Sequence, residues 1–158
     1  DKVGKNGRPG CEVFRGRFEH TIDEKGRLSI PSRFREILSA RGENELILTD
    51  FDSCLAAYPR EEWRQLEEKI KRLSTIQKDV RNFLRLFYSS ATEVPLDSQG
   101  RILIPPQMRD RAHLGKDVVL LGLLNKIEIW DKNSWEEFVT QSAGTFEEIA
   151  SRLVELGI

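Results

Sequence analysis

Apolar positions recur along this chain at two spacings. The segments "EHTID" and "RLSI", flanking residue 25, alternate or run apolar over a few residues and predict two short strands. The longer runs "ELILTDFDSCLAAY" and "DVVLLGLLNKIEIW" predict further strands. Helical spacing takes over elsewhere: Trp63, Leu66, Ile70 and Leu73 fall on one stripe, as do Val80, Phe83, Leu84 and Phe87. Residues 60–88 are therefore expected to be helical, restarted by a capping box at Ser74-x-x-Gln77. A box at Ser134-x-x-Glu137 predicts the start of another helix, and one at Thr145-x-x-Glu148 a last helix. That last helix presents Ile149, Leu153 and Leu156 on one face and ends at Gly157. Pro31 and Pro105 each stop a strand and open a short helix, "SRFREIL" and "PQMRDRA".

The elements are written twice. "DEKGRLSIP" at residues 23–31 returns as "DSQGRILIP" at residues 97–105. Arg27 aligns with Arg101, Ile30 with Ile104, Pro31 with Pro105, Arg35 with Arg109, Tyr58 with Trp130 and Trp63 with Trp135. Each copy predicts the order β-turn-β-α-β-β-α, which makes the fold class α+β. The expected division is an arm at 1–12, a first repeat with its helical pair at 13–90, and a second repeat with the last helix at 91–158. Within each turn the Asp carboxylate can accept backbone N–H groups, and the Gly supplies the positive φ that closes a hairpin. One repeat has too few strands to bury its apolar face alone. Two repeats interlocked about a pseudo-twofold axis would close a small barrel with helices around it and remove the exposed strand edges.

Composition narrows the functional classes. Of 158 residues, 39% are hydrophobic and 32% charged, which suits a packed core. No apolar run approaches the roughly 18 residues of a membrane span, and no secretory leader is expected in the Gly- and Lys-rich first dozen residues. Two cysteines, Cys11 and Cys54, are too few for a disulfide-stapled secreted domain and suggest a reducing cytoplasm. Cys54, inside an apolar run, is expected in the core. The net charge of −1 hides an asymmetry. Arg15, Arg17, Lys25, Arg27, Arg33 and Arg35 outnumber the acids of their segment, while Glu128, Asp131, Glu136, Glu137, Glu147, Glu148 and Glu155 dominate the end. A basic head suggests an anionic partner. His20 and His113 lie outside any metal-ligand spacing, and no phosphate loop or nucleophile elbow occurs, so neither catalysis nor a cofactor is expected.

The stretch "VFRGRFEHTIDEKGRLSIPSRFR", the second "DSQGRILIP" and the overall length resemble the MraZ family of bacterial transcription regulators, over nearly all of residues 13–158. A single such turn would be a weak signal, since AbrB-like proteins share the general pattern; the doubled motif is specific. The resemblance implies a double swapped-hairpin barrel related to the AbrB fold and ring-shaped homo-oligomers. It also implies binding to short repeated boxes of double-stranded DNA upstream of the division and cell-wall gene cluster, as a regulator expected to repress. That would place the protein in the cytoplasm, at the nucleoid. The family's DNA-binding motif carries over to Asp23, Lys25, Gly26 and Arg27, and to Asp97, Gly100 and Arg101. Members usually begin Met-Phe-Arg-Gly where this chain has Val13-Phe14-Arg15-Gly16, so Val13 is expected to be the natural start, read from a non-standard initiation codon.

A two-stranded hairpin tip is narrow enough for a major groove. Arg27 could grip a guanine edge or a phosphate with its forked guanidinium, and Lys25 a phosphate as a point charge. Arg15, Arg17, Arg33 and Arg35 are candidates for further backbone contacts. The first tip carries Glu24-Lys25 and basic flanks where the second has Ser98-Gln99, so the first is expected to be the stronger contact. Asp23 and Asp97 are expected to act chiefly as turn locks, and Arg101 either contacts DNA, is structural, or pairs with an Asp of the other repeat. The competing class is a protein-interaction module, such as an AbrB-type antitoxin or a scaffold, using the helical surface around Trp63 to Phe87. Two repeats and a capped last helix, in place of one hairpin and a disordered tail, argue against it.

Overall fold

The computed structural model describes residues 12–157, so the expected arm lies almost wholly outside the described residues. The first repeat comprises β1 (Phe14–Thr21), β2 (Arg27–Ser29), α1 (Ser32–Ala40), β3 (Glu45–Phe51), β4 (Cys54–Pro59), α2 (Arg60–Ile70) and α3 (Lys78–Phe83), which runs into a π-helical turn at Leu84–Tyr88. The second comprises β5 (Thr92–Pro95), β6 (Arg101–Leu103), α4 (Pro106–Arg111), β7 (Asp117–Leu124), β8 (Lys126–Asp131), α5 (Lys132–Ser142) and α6 (Phe146–Glu155). The element order read from the sequence therefore appears twice.

Six strands form one antiparallel sheet in the order β1-β7-β8-β4-β3-β5, and β2 pairs with β6 in a separate ribbon. The order reads the same from either end once repeat-equivalent strands are exchanged. β4 and β8 pair at the centre, and the first strand of each repeat is handed to the other: β1 pairs with β7, and β5 with β3. Neither repeat owns a complete sheet, which is the interlocking expected from the marginal stability of a few strands alone. The hairpin strands meet the ribbon through Asp23 N–H donating to Arg27 O at 3.0 Å and Asp97 N–H to Arg101 O at 2.9 Å.

Both faces of the sheet are covered, which is why its inner strands are written as unbroken apolar runs and not as alternating ones. On one face Leu46, Leu48, Leu55, Val118, Leu120, Ile127 and Ile129 pack with Leu28 and Ile102 of the ribbon and Phe34 and Met108 of α1 and α4. On the other, α2 and the π-turn cover Ile47, Ala56 and Tyr58 with Trp63 and Phe87. Trp135 of α5 packs at Cys54, Val119, Leu121 and Trp130. Cys54 is buried, as expected, and burial pushes its thiol pKa up.

The helix starts depart from expectation. Helix α2 ends at Ile70, residues 71–77 are turn, and Leu73 is exposed. Gln77 is itself the N-cap of α3 and so cannot serve as the third helical residue of a box; Ser74 Oγ accepts from Ile76 N–H instead. Helix α5 begins two residues before Ser134, because the Asp131 carboxylate caps it, accepting from Asn133 N–H at 3.1 Å and Ser134 N–H at 3.3 Å. Thr145 is the N-cap of α6 but sits in helical φ/ψ, so its hydroxyl turns back to donate to Ser142 O. Helix α2 is capped from a distance: Glu43, in the loop before β3, accepts from Arg60 N–H and Glu61 N–H. Phe146, Ile149, Leu153 and Val154 of α6, and Leu156 at its C-cap, are all exposed.

Candidate nucleic-acid interface

Each turn is locked in the same way. Asp23 Oδ1 accepts the N–H groups of Lys25 and Arg27, both at 2.9 Å, and Oδ2 accepts Arg27 Nε–H at 2.7 Å. Asp97 Oδ1 accepts the N–H groups of Gln99 and Arg101, both at 2.9 Å, and Oδ2 accepts Arg101 Nε–H at 2.8 Å. Gly26 N–H and Gly100 N–H donate back to Asp23 O and Asp97 O, each at 2.9 Å, with φ of +88° and +78° at the glycines. Glycine adopts that backbone region without strain. Both aspartates are thus turn locks, and Arg101 pairs with the Asp of its own repeat, not of the other. The pairing uses Nε of each arginine and leaves the terminal NH2 groups outside it.

This geometry sets the acid response. Asp23 is held down to about 2 from an ordinary 3.8, first by the Arg27 backbone N–H, against some loss of solvation, and then by the Arg27 guanidinium and the Lys25 N–H. Asp97 is lowered by the equivalent groups, the Arg101 backbone N–H foremost. A depressed carboxyl pKa means that the lock is complete above the ordinary value and is lost as pH falls through the folded value. The Lys25 and Arg27 amide resonances should accordingly titrate with a midpoint near 2 in an NMR pH series. A midpoint at 3.8 would show that the lock is absent in solution.

The β2–β6 ribbon brings the two motifs together. Its register sets Arg27 opposite Leu103, Leu28 opposite Ile102 and Ser29 opposite Arg101. Strand alternation then places Arg27, Ser29, Arg101 and Leu103 on one side, where all four are partly or fully exposed, while Leu28 and Ile102 are buried on the other. Arg27 and Arg101 are diagonal neighbours, about 7–8 Å apart at the backbone. Their side chains are 34% and 27% exposed. Lys25 is exposed at the first tip. The outcome is a narrow two-stranded face carrying two arginines.

Under each tip lies an arginine of the other repeat. Arg109 Nε–H donates to Ile104 O at 3.0 Å, and a Cβ placed on Gly26 would lie 3.0–3.1 Å from its Cζ, Nη2 and Nε. Arg35 Nε–H donates to Ile30 O at 2.9 Å, and a Cβ on Gly100 would come within 2.3 Å of its Cδ. Arg35 is thus packed under a tip, and Arg109 acquires a place that the sequence reading left blank. The signal was its alignment with Arg35. The remaining candidates lie away from the tips. Arg15 and Arg17 are exposed at the far end of β1, where Arg15 lies eight positions before Asp23, a span of at most about 27 Å. Arg33 is exposed on α1, beside Glu12 and Glu36. Among the described residues no group of three or more His, Cys, Asp and Glu side chains could hold a metal ion, and no helix is long and apolar enough to cross a membrane.

A family model described as "MraZ protein, putative antitoxin-like" matches this chain twice, over residues 13–86 and 87–156. The chain belongs to the MraZ family. Curated relatives agree. A protein of Alkaliphilus metalliredigens named transcriptional regulator MraZ is 45% identical over 146 residues, which is 92% of this chain and all of the relative. Proteins of the same name from Pelotomaculum thermopropionicum and Desulforamulus reducens are 46% and 42% identical over 92% and 91% of this chain and 99% of their own length. Both family matches contain one locked turn, so the doubled motif belongs to the family unit and is not a local coincidence.

Proposed function

We propose that this chain is a DNA-binding transcriptional regulator that reads double-stranded DNA with the exposed face of its β2–β6 ribbon. The observation that supports the reading most directly is the pairing of Arg27 and Arg101 on that one face, each steadied through Nε by its own aspartate. A two-stranded ribbon fits a B-DNA major groove, and a guanidinium held at Nε still offers its terminal NH2 groups to guanine O6 and N7 or to a phosphate. Lys25 adds a phosphate contact at the first tip, and Arg15, Arg17 and Arg33 would meet backbone phosphates farther out. The twofold-like ribbon suits a site with internal symmetry, and the fold would be completed as a swapped-hairpin barrel.

The targets in this reading are the repeated boxes upstream of the division and cell-wall cluster, with occupancy repressing transcription in the cytoplasm. One ribbon face neutralises few phosphates and binds weakly at physiological salt. Copies joined in a ring would bind repeated boxes by raising the effective concentration of each later contact. The exposed apolar face of α6 is suited to joining copies. In gel-shift titrations a fragment with several boxes should bind at least about 100-fold more tightly than one with a single box, and affinity should fall steeply as salt is raised. Equal affinity for one box and for several would remove the avidity mechanism. Should a pull-down return a stable protein partner and no nucleic acid, the interaction-module reading would replace this one.

A further inference from the structure

The two turns are locked by the same bonds, but they are not independent of each other. We infer that Arg109 and Arg35 are positioning residues that brace the tips crosswise, each holding the turn of the opposite repeat; the consequence for binding rests on the DNA reading above. Four contacts define the brace. Ile104 N–H donates to Gly26 O at 2.9 Å while Arg109 Nε–H donates to Ile104 O at 3.0 Å. Ile30 N–H donates to Gly100 O at 3.0 Å while Arg35 Nε–H donates to Ile30 O at 2.9 Å. Each Ile-Pro stop therefore ties a turn glycine to an arginine of its own repeat, and that arginine packs on the same glycine.

The contact at the first tip is planar. Three guanidinium atoms of Arg109 lie at nearly equal distance, 3.0–3.1 Å, from where a Gly26 Cβ would stand. A flat guanidinium can lie on the bare backbone of a glycine, and any side chain would lift it off. Gly26 and Gly100 thus meet two demands, positive φ and room for an arginine, and both are buried although their tips are exposed. A guanidinium keeps its charge and its fork under all physiological conditions, whereas lysine has neither the plane nor an Nε–H in that place. Arg27 follows Gly26 directly, and Arg101 follows Gly100, so a tip that loses its brace lets the DNA-facing arginine move.

The brace predicts a crossed response. In the full-length chain without DNA, Arg109→Lys should accelerate amide hydrogen exchange at Lys25, Gly26 and Arg27 and leave Gln99, Gly100 and Arg101 unchanged; Arg35→Lys should do the reverse. On a promoter fragment Arg109→Lys should weaken binding about tenfold, and adding it to Arg27→Ala should cost less than about twofold more, the non-additivity expected of residues acting through one another. Added to Arg101→Ala, it should act in full. Disturbance of each variant's own repeat, or of both tips alike, would overturn the brace. A crossed exchange pattern with binding untouched by Arg27→Ala would uphold the brace and reject the DNA reading, so the two failures are distinct.

Discussion

Replacing Arg27 by alanine should weaken binding to a promoter fragment by roughly 5- to 150-fold per ribbon, the range of 1–3 kcal/mol carried by one bidentate arginine–guanine pair. The loss should be concentrated on sequences that carry the native boxes, because base contacts specify while phosphate contacts only position. Folding should be almost unaffected. The ion pair that disappears is exposed, and Asp23 still holds the turn through the N–H groups of Lys25 and residue 27. Lys25→Ala should weaken binding evenly across sequences and lower the salt slope by about one. Arg101→Ala should cost less than Arg27→Ala, since its tip carries Ser98 and Gln99 in place of Glu24 and Lys25. Fluorescence anisotropy at several salt concentrations, with thermal melting as the control, checks all three. Unchanged affinity for Arg27→Ala would move the interface off the ribbon.

The largest loss of stability is expected at a residue with no part in binding. Gly122 of β7 faces Gly16 of β1 in the register, and a Cβ on Gly122 would stand 2.3 Å from Arg15 N and 2.6 Å from Phe14 C. Those are backbone atoms of a paired strand and cannot swing aside as a side-chain end would. Gly122→Ala should therefore reach the upper end of overpacking costs, about 3 kcal/mol, and lower the melting temperature by roughly 6–12 °C in a chain of this length. Calorimetry of the two proteins decides it. Gly42→Ala makes a useful contrast: nothing lies within 4 Å of a Cβ there, and only its positive φ of +70° would be strained.

What could be read in advance follows from what is local. The turn locks were legible because Asp-x-x-Gly-Arg combines an acceptor, a positive-φ residue and a cation within five positions, and all its bonds close within those five. The strand runs were legible because helices cover one side of the sheet and the ribbon and short helices the other, leaving little polar alternation to confuse them. The helix starts were misread where a stronger or more distant acceptor won. Asp131 displaced Ser134, and Glu43 reached α2 from the loop before β3. Nothing in a linear pattern marks an arginine as the neighbour of a glycine many tens of positions away, as Arg109 is of Gly26 and Arg35 of Gly100, so both acquire their roles only in three dimensions. The Gly122 contact is hidden for the same reason, as it depends on which strand of the other repeat lies alongside.

The exchange of first strands between the two halves has a further meaning. A protein with one half alone would need a second molecule to supply the missing strand, and any change at its tip would appear on both sides at once. With both halves on a single polypeptide, completing the sheet no longer depends on concentration, and each tip is free to diverge. Lys25 and Gln99, on backbones locked by the same bonds, are a difference that such a fusion permits and a symmetric dimer forbids. If the ribbon reads DNA as proposed, the chain would present a lopsided reading head from a symmetric frame and so distinguish one direction along its target from the other.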